Sequence, residues 1–170
     1  MTSTSSDPSW DGARRAVGDG LLSILMPAYN LGDEIAANVR RVADLLAGEL
    51  PLEMIVIDDG STDASFALLS ALHHRDSRVR VIRFRKNFGQ TAALAAGFAE
   101  ARAAVIVTLD ADLQNEPADI PHLVERLDAG FDMVCGWRKD RKDPFLSRIL
   151  PSTIANWLIS VTTGVHLHDY

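Results

Sequence analysis

The segment 105–114, Val-Ile-Val-Thr-Leu-Asp-Ala-Asp-Leu-Gln, constrains the fold more than any other part of the chain. Its first five residues are mostly β-branched and apolar, as in a strand buried on both faces of a parallel sheet. Asp110 and Asp112 end this run, because an unpaired carboxylate is costly to bury. The two acids therefore mark the C-terminal edge of the strand, where open α/β sheets bind their ligands.

The spacing of Asp110 and Asp112 suits a single hard cation. One intervening residue lets both carboxylates reach the same ion, while oxygen atoms of a ligand complete the coordination. Mg2+ is bound in this way when it keeps positions for water and substrate phosphate. A polar turn after a strand is the alternative explanation, and this segment alone does not choose between the two.

Strands and helices alternate along residues 21–143, which we predict to form one folded domain. The predicted strands are 21–26, 54–57, 79–84, 105–109 and 132–135. The predicted helices are one capped by Asp33, one capped by Ser61 or Thr62, one over 91–101, and one from Pro117 to Gly130. This alternation predicts an α/β fold with a doubly wound, mostly parallel sheet and helices on both faces. The arginines around residues 79–84 favour a position near an edge of the sheet.

The two ends of the chain differ from this domain. Residues 1–20 are small and polar, without the apolar core of a signal peptide, and we predict a disordered tail. Residues 144–170 follow a charged loop and are predicted to form an amphipathic helical segment. This segment fits either a helix pair packed on the core or a helix on a membrane surface, helped by the basic residues before it.

The overall composition narrows the class of protein. A length of 170 residues suits one domain with a substantial core. The net charge of −6 does not indicate a nucleic-acid partner. Cys135 is the single cysteine, so no internal disulfide forms and a reducing cytoplasm is the expected compartment. We expect Cys135 to be buried as a small apolar residue.

Polar side chains follow three of the predicted strands. They are Tyr29 and Asn30 after the first strand, Asp58 and Asp59 after the second, and the pair Asp110 and Asp112 after the fourth. If these strands are parallel neighbours, all three groups face one crevice. Like charges at close range repel unless a cation is present, and a divalent metal bridging a diphosphate would remove that repulsion and act as a Lewis acid.

A dinucleotide-binding dehydrogenase is the main competing class for such a sheet. Its first strand-to-helix turn carries a glycine triplet that lets pyrophosphate approach the helix. Here that turn, residues 27–32, reads Pro-Ala-Tyr-Asn-Leu-Gly, and the chain also lacks a glycine-rich phosphate loop ending in Lys-Ser or Lys-Thr. A bound diphosphate would therefore be held by metal and basic side chains rather than by a helix N-terminus.

Five motifs in order resemble those of the family 2 glycosyltransferases of the GT-A fold. They are residues 23–30, 56–63, 85–90, 109–117 and 162–170, which together span nearly everything after Gly20. More specifically, the set is similar to the branch that includes dolichol-phosphate mannose synthases and undecaprenyl-phosphate sugar transferases. The resemblance implies a Rossmann-like GT-A fold, with residues 21–143 as the nucleotide-sugar-binding catalytic domain.

The resemblance also implies the members of the site. The implied nucleotide-binding residues are Pro27, Tyr29, Asn30, Ile57, Asp58, Asp59, Gly89, Asp110 and Ala111. Of these, Pro27, Tyr29, Ile57 and Asp59 would hold the base and ribose.

Four residues are the implied catalytic set. Asp110 would face the ribose and the metal, and Asp112 would bind the metal, Mg2+ or Mn2+, directly. Gln114 would face the diphosphate or the sugar. Arg138 would meet a phosphate, either of the donor or of the lipid acceptor.

The implied reaction is the inverting transfer of one sugar from a UDP- or GDP-linked donor to a polyprenyl phosphate, at the cytoplasmic face of a membrane. The residues choose neither the sugar nor the base, and they leave a homo-oligomer open. Family members continue past Tyr170, so part of the acceptor site and the membrane anchor are expected to be missing here. The alternatives are a sugar-nucleotide-binding fragment without transfer activity and a family 2 transferase with a soluble or polysaccharide acceptor.

Overall fold

The computed structural model of the chain describes residues 11, 13, 16, 17 and 20–136. Its elements are β1 Leu22–Ala28, α1 Glu34–Leu46, β2 Leu52–Asp58, α2 Ser65–His73, β3 Val79–Arg83, α3 Gln90–Glu100, β4 Val105–Thr108, a 3-10 turn Pro117–Asp119, and α4 Ile120–Asp128. The chain divides into two compact units, 1–134 and 135–170, and all of these elements lie in the first.

The strands form a four-stranded sheet in the order β3-β2-β1-β4, and every neighbouring pair is parallel. Alternate side chains of the central strands face opposite sides. Ile24 and Val56 pack in a cluster with α1, α2 and α4, while Leu25 and Ile57 pack in a second cluster with α3. The predicted doubly wound α/β sheet with helices on both faces is confirmed, and β3 lies at an edge as its arginines indicated.

β1 runs through Pro27 to Ala28, further than the sequence predicted. Proline lacks a backbone N–H and would break a hydrogen-bond ladder in the middle of a sheet. Here the Leu25 carbonyl accepts the Leu109 N–H, so alternate residues of β1 face β4, and β4 ends opposite Leu25. Because Pro27 lies beyond β4 on that side, its missing donor leaves no ladder bond unmade, and the strand carries Pro27 to the end of the sheet.

The predicted caps at Asp33, Ser61 and Thr62 are wrong, because α1 and α2 have no side-chain hydrogen bond at their N-caps. The serines instead join the two loops that leave β1 and β2. The Ser61 hydroxyl accepts the backbone N–H of Asn30 at 2.9 Å, and the Ser65 hydroxyl accepts two further N–H groups of the same loop. These contacts hold the β1–α1 and β2–α2 loops together at the carboxyl edge of the sheet.

Helix α3 lies close to the sheet, because its residues on that side are small. A Cβ atom added at Gly97 would lie 3.0 Å from Ile57 Cδ1 and 3.1 Å from Leu25 Cδ1. Because α3 follows β3 in a parallel sheet, its start, and with it Gln90, lies at the carboxyl edge of the sheet.

Two predictions at the ends of the domain need correction. Residues 131–136 contain no strand, and Met133 and Cys135 are exposed, so the predicted strand 132–135 and the buried Cys135 are wrong. The segment is apolar in composition, but in the described residues the sheet ends at β4 and gives it no neighbouring strand. An apolar composition does not by itself predict whether a neighbouring strand is present.

Within the predicted tail 1–20, the described residues Asp11, Ala13, Ala16 and Val17 are helical, and Ala13 is fully buried in the core. The prediction of disorder therefore fails at these four positions. The amphipathic segment 144–170 and Arg138 lie outside the described residues. No helix in the described part of the chain has both the length and the apolar content to cross a membrane.

Glu53 forms a buried polar cluster at the amino-terminal edge of the sheet. Its Oε1 accepts hydrogen bonds from the Ser23 hydroxyl at 2.7 Å and the Arg102 N–H at 2.8 Å, and Arg80 Nη1 lies 3.3 Å from Oε2. Burial acts to raise the pKa of Glu53, but these hydrogen bonds outweigh it and hold the pKa below its ordinary value of 4.5. The cluster joins β1, β2, β3 and the segment before β4 at the end of the sheet opposite the strand-end acids.

Candidate functional site

A cleft of about 300 Å³ opens at the carboxyl edge of the sheet. Its walls come from the ends of β1, β2 and β4 and from the first turn of α3. The lining residues are Pro27, Ala28, Tyr29, Leu31, Asp59, Gln90, Ala93, Asp110, Ala111 and Asp112. The three polar groups that follow separate strands in the sequence thus contribute to one crevice, as the parallel order predicted.

The predicted site residues divide into three groups. Those that line the cleft are Pro27, Tyr29, Asp59, Asp110, Ala111 and Asp112. Those that lie outside its lining are Asn30, Ile57, Asp58, Gly89 and Gln114. Arg138 lies outside the described residues.

Asp59 anchors the turn that precedes α3. The residue is 4% exposed, and its two carboxylate oxygens accept the backbone N–H groups of Phe88 and Gly89, each at 2.8 Å. Gly89 has a φ of +91°, which a glycine adopts without steric cost. Asp59 therefore fixes one wall of the cleft, and Gly89 contributes through its backbone from outside the lining.

Gly60 allows the same turn to approach the end of β2. Its φ is +72°, and a Cβ atom there would lie 2.3 Å from the carbonyl carbon of Lys86 and 2.7 Å from the backbone nitrogen of Asn87. These neighbours are backbone atoms, so a side chain at this position would push the whole turn away from Asp59.

We expect Gly60→Ala to lower the free energy of unfolding by about 2 kcal/mol, because a strained φ and a backbone clash add together. Gly48→Ala is the matched control, since Gly48 has a φ of +81° but no atom within 4 Å of the added Cβ. The control should lose about 1 kcal/mol from the φ strain alone. Urea denaturation of both variants measures the difference, and equal losses would show that the approach of the turn is unimportant.

Asp58 and Ile57 have structural rather than cleft-lining positions. Asp58 is fully buried: Oδ1 accepts the Ser61 N–H at 3.2 Å, and Oδ2 lies 3.6 Å from Arg83 Nε. The Arg83 guanidinium in turn lies 4.0 Å from the centre of the Phe66 ring. Asp58 thus holds the β2–α2 loop and an edge arginine, while Ile57 packs beneath α3.

Asn30 joins two loops beside the cleft. Its φ is +51°, in the left-handed region that asparagine tolerates better than most residues. Its side-chain Oδ1 accepts the N–H of Thr62 at 2.9 Å. Asn30 therefore fixes the loop that carries Tyr29, a residue that lines the cleft and is 45% exposed.

Asp110 and Asp112 lie on a tight turn that follows β4. Asp110 Oδ1 accepts a hydrogen bond from Gln90 Nε2 at 3.0 Å, and Asp112 Oδ1 accepts the N–H of Gln114 at 3.1 Å. Leu113 has a φ of +54°, which is unusual for a bulky residue and is found where a surrounding structure enforces it. The turn brings both carboxylates to the cleft, whereas Gln114 is exposed just outside its lining.

The two carboxylates of this turn fit a divalent cation that is also coordinated by a bound ligand. Two aspartate carboxylates supply hard oxygen atoms, which Mg2+ and Mn2+ prefer. Within residues 20–136 and the few described before them, no group of three or more His, Cys, Asp or Glu side chains could hold an ion alone. In such a site phosphate oxygens and water would complete the coordination.

Sequence reasoning missed two residues beside this turn. No role was predicted for Gln90, which bonds to Asp110, although its place directly after Gly89 in the motif 85–90 was a usable signal. Asn38 donates from Nδ2 to the carbonyl oxygen of Ala111 at 2.9 Å. No sequence signal marks Asn38, because a polar residue on an amphipathic helix looks like any solvent-facing position.

Comparison with known proteins shows the family of this chain. The model of the family Glycosyl transferase family 2 matches residues 23–167. Dodecaprenyl-phosphate galacturonate synthase from Rhizobium johnstonii is 43% identical over 152 residues, which are 88% of this chain and 45% of that protein. Undecaprenyl-phosphate 4-deoxy-4-formamido-L-arabinose transferase from Pseudomonas aeruginosa is 41% identical over 152 residues, 88% of this chain and 44% of that protein. The chain thus spans less than half the length of these relatives.

Solved structures agree with the fold. Glucosyl-3-phosphoglycerate synthase from Mycobacterium tuberculosis, in complex with UDP, has a TM-score of 0.66 at 22% identity, over 95% of this chain and 56% of its own. A mannosyltransferase from Pyrobaculum calidifontis, in complex with GDP-Man and Mn2+, has a TM-score of 0.51 at 19% identity, over 69% of this chain and 38% of its own. At these identities the likeness supports the GT-A architecture alone. From its motifs, its fold and the family match, the chain belongs to glycosyl transferase family 2.

Proposed function

We propose that this chain carries the donor site of an inverting glycosyltransferase that moves a sugar from a UDP- or GDP-linked donor to a polyprenyl phosphate. The observation that carries the proposal is the cleft where Pro27 and Tyr29 meet the carboxylates of Asp110 and Asp112. Two relatives whose names specify dodecaprenyl and undecaprenyl phosphate, at 43% and 41% identity, support the class of acceptor.

Each wall of the cleft has a distinct part in holding the donor. Pro27 and the exposed ring of Tyr29 offer apolar surface to the base and ribose. Asp59 already accepts two backbone N–H groups, yet a carboxylate has further lone pairs that can accept from the nucleoside. Asp110 and Asp112 would hold Mg2+ or Mn2+ between them and the diphosphate. When bound, such a cation supplies Lewis-acid stabilisation of the charge that develops on the departing nucleotide.

The acceptor explains why no strong general base is required in this cleft. A phosphate monoester is ionised near neutral pH and is already a nucleophile. The protein's contribution is then to position donor and acceptor and to stabilise charge on the leaving group. Gln114, just outside the lining, remains our proposed contact of the diphosphate or sugar, and Arg138 our proposed contact of a phosphate.

A polyprenyl phosphate is a membrane lipid, so we propose that the chain acts at a membrane surface on the cytoplasmic side, where nucleotide sugars are made. The amphipathic pattern of residues 144–170 supports an interfacial position. Co-sedimentation with anionic liposomes tests this part of the proposal, and failure to sediment with the liposomes would contradict it.

A transfer assay separates the candidate functions. The protein is incubated with Mn2+, a panel of UDP- and GDP-linked sugars and a short-chain polyprenyl phosphate, and release of free nucleotide is measured. Release that depends on the lipid phosphate supports the proposal. Binding of donor without release favours a sugar-nucleotide-binding fragment. Release that depends on a soluble or polysaccharide acceptor favours a family 2 transferase of that kind. Absence of donor binding contradicts all three candidates.

A further inference from the structure

The backbone of the acidic pair is held from a second element, helix α1. Asn38, partly buried on that helix, donates from Nδ2 to the carbonyl oxygen of Ala111 at 2.9 Å. Ala111 lies between the two acids and is 1% exposed. A buried carbonyl without a hydrogen-bond partner is destabilising, so this bond satisfies a group that water cannot easily reach.

The position of this bond lets it control the relative orientation of the two carboxylates. The Ala111 carbonyl belongs to the peptide unit that joins Ala111 to Asp112, and rotation of that unit changes the direction of the Asp112 side chain relative to Asp110. Local bonds also fix the turn, from the Leu113 N–H to the Asp110 carbonyl at 3.2 Å and from the Gln114 N–H to Asp112 Oδ1 at 3.1 Å. Gln90 on α3 bonds to the Asp110 side chain at 3.0 Å but does not contact the Ala111 carbonyl. Asn38 supplies a contact from a separate element of the fold.

We propose that Asn38 is a positioning residue for the divalent cation. It fixes the orientation of the peptide between Asp110 and Asp112, so that both carboxylates face the cleft before the ligand arrives. The inference rests on the proposed function, in which this pair holds Mg2+ or Mn2+. Asn38 does not line the cleft, so its effect passes through Ala111 rather than through contact with the donor.

A purely structural role for Asn38 predicts a different result. The same helix also reaches the segment after the acids through Arg41, whose Nη2 lies 3.5 Å from Glu116 Oε1 with both side chains more than half exposed. If these contacts only attached α1 to this segment, loss of the Asn38 bond and loss of the Arg41 ion pair would have the same effect on cation binding. If the orientation of the Ala111 peptide matters, loss of the Asn38 bond alone should weaken cation binding.

The test compares Asn38→Leu, which keeps a similar side-chain volume without a donor, with the control Arg41→Leu. Free Mn2+ is titrated by electron paramagnetic resonance with the 170-residue chain of each variant in the presence of UDP and, separately, of GDP. Nucleotide affinity in EDTA and stability in urea are measured in parallel. We expect Asn38→Leu to weaken Mn2+ binding roughly 10- to 100-fold, the usual effect of removing a group that orients a metal ligand. Nucleotide affinity in EDTA should stay unchanged, and Arg41→Leu should bind Mn2+ like the wild type.

Four further results decide between these outcomes. Partial recovery of Mn2+ affinity in Asn38→Gln, which restores an amide donor, supports positioning. Wild-type Mn2+ affinity in Asn38→Leu overturns this inference but not the proposed function. An equal loss of nucleotide binding by Asn38→Leu with and without the metal does the same. Absence of nucleotide-dependent Mn2+ binding in the wild type instead contradicts the proposed function, and the inference with it.

Discussion

Asp112→Asn is expected to lower the Mn2+-dependent affinity for the nucleotide by roughly 100-fold, about 2.7 kcal/mol. The substitution removes the negative charge of the exposed member of the acidic pair but keeps a side-chain oxygen. That oxygen can still accept the Gln114 N–H, which Asp112 Oδ1 accepts at 3.1 Å, so the turn should survive. Isothermal titration calorimetry with UDP and GDP, in Mn2+ and in EDTA, measures the loss, and urea denaturation checks that the fold is intact.

Asp119→Asn is the matched control for this prediction. Asp119 is an exposed acid on the 3-10 turn after the pair, outside the lining of the cleft, and its side chain makes no cap hydrogen bond to α4. The control removes the same charge from the same region and should bind like the wild type. Unchanged Mn2+-dependent affinity in Asp112→Asn would mean that the carboxylate is not a metal ligand.

Glu53→Leu is expected to lower the free energy of unfolding by about 3 kcal/mol, because it leaves the partners of a buried charge without an acceptor. The Ser23 hydroxyl, the Arg102 N–H and Arg80 all direct hydrogen bonds at this carboxylate, whose side chain is 7% exposed. Glu100→Gln is the control: Glu100 also pairs with Arg80, at 2.7 Å, but its side chain is 54% exposed. The control should cost less than about 1 kcal/mol. Equal losses in urea denaturation would contradict the role assigned to burial.

The effect of Glu53 should depend on pH in a defined direction. Its pKa is lower in the folded protein than its ordinary value of 4.5, so the folded state holds fewer protons than the unfolded state in that range. The stabilisation is therefore complete above pH 4.5 and is lost as the pH falls through the folded-state pKa. The difference in stability between the wild type and Glu53→Leu should stay constant above about pH 5 and narrow as the pH falls further, in the range where such carboxylates titrate. A constant difference would show that the charge is not responsible.

The sequence predicts the sheet and the convergence of the site because both follow from local patterns. Apolar runs that end in Asp110 or Asp59 identify strand ends, and alternation with helices dictates a parallel order, which brings those ends to one edge. β1 extends through Pro27, beyond the prediction, because β4 ends opposite Leu25 and leaves no partner for the missing N–H. The length of β4 is a property of the whole sheet, so the sequence around Pro27 does not report it.

Other features depend on tertiary contacts that no local pattern reports. Adjacent residues at a strand end face opposite ways, so the dipeptide of Asp58 and Asp59 does not reveal that the first is fully buried while the second lines the cleft. Ser61 was predicted to cap a helix, as its residue type favours, but it bonds instead to a loop far away in sequence. Asn38 was missed for the same reason, since its partner lies on another element.

Thermal denaturation with UDP or GDP, each with Mn2+ or with EDTA, tests the central claim most directly. A ligand at one hundred times its dissociation constant adds about 2.7 kcal/mol of stability. The account predicts a rise in the melting temperature with one nucleotide, present with Mn2+ and absent with EDTA, and missing in Asp112→Asn. The same rise in EDTA, or no rise with either nucleotide, would contradict a metal-bridged diphosphate at Asp110 and Asp112.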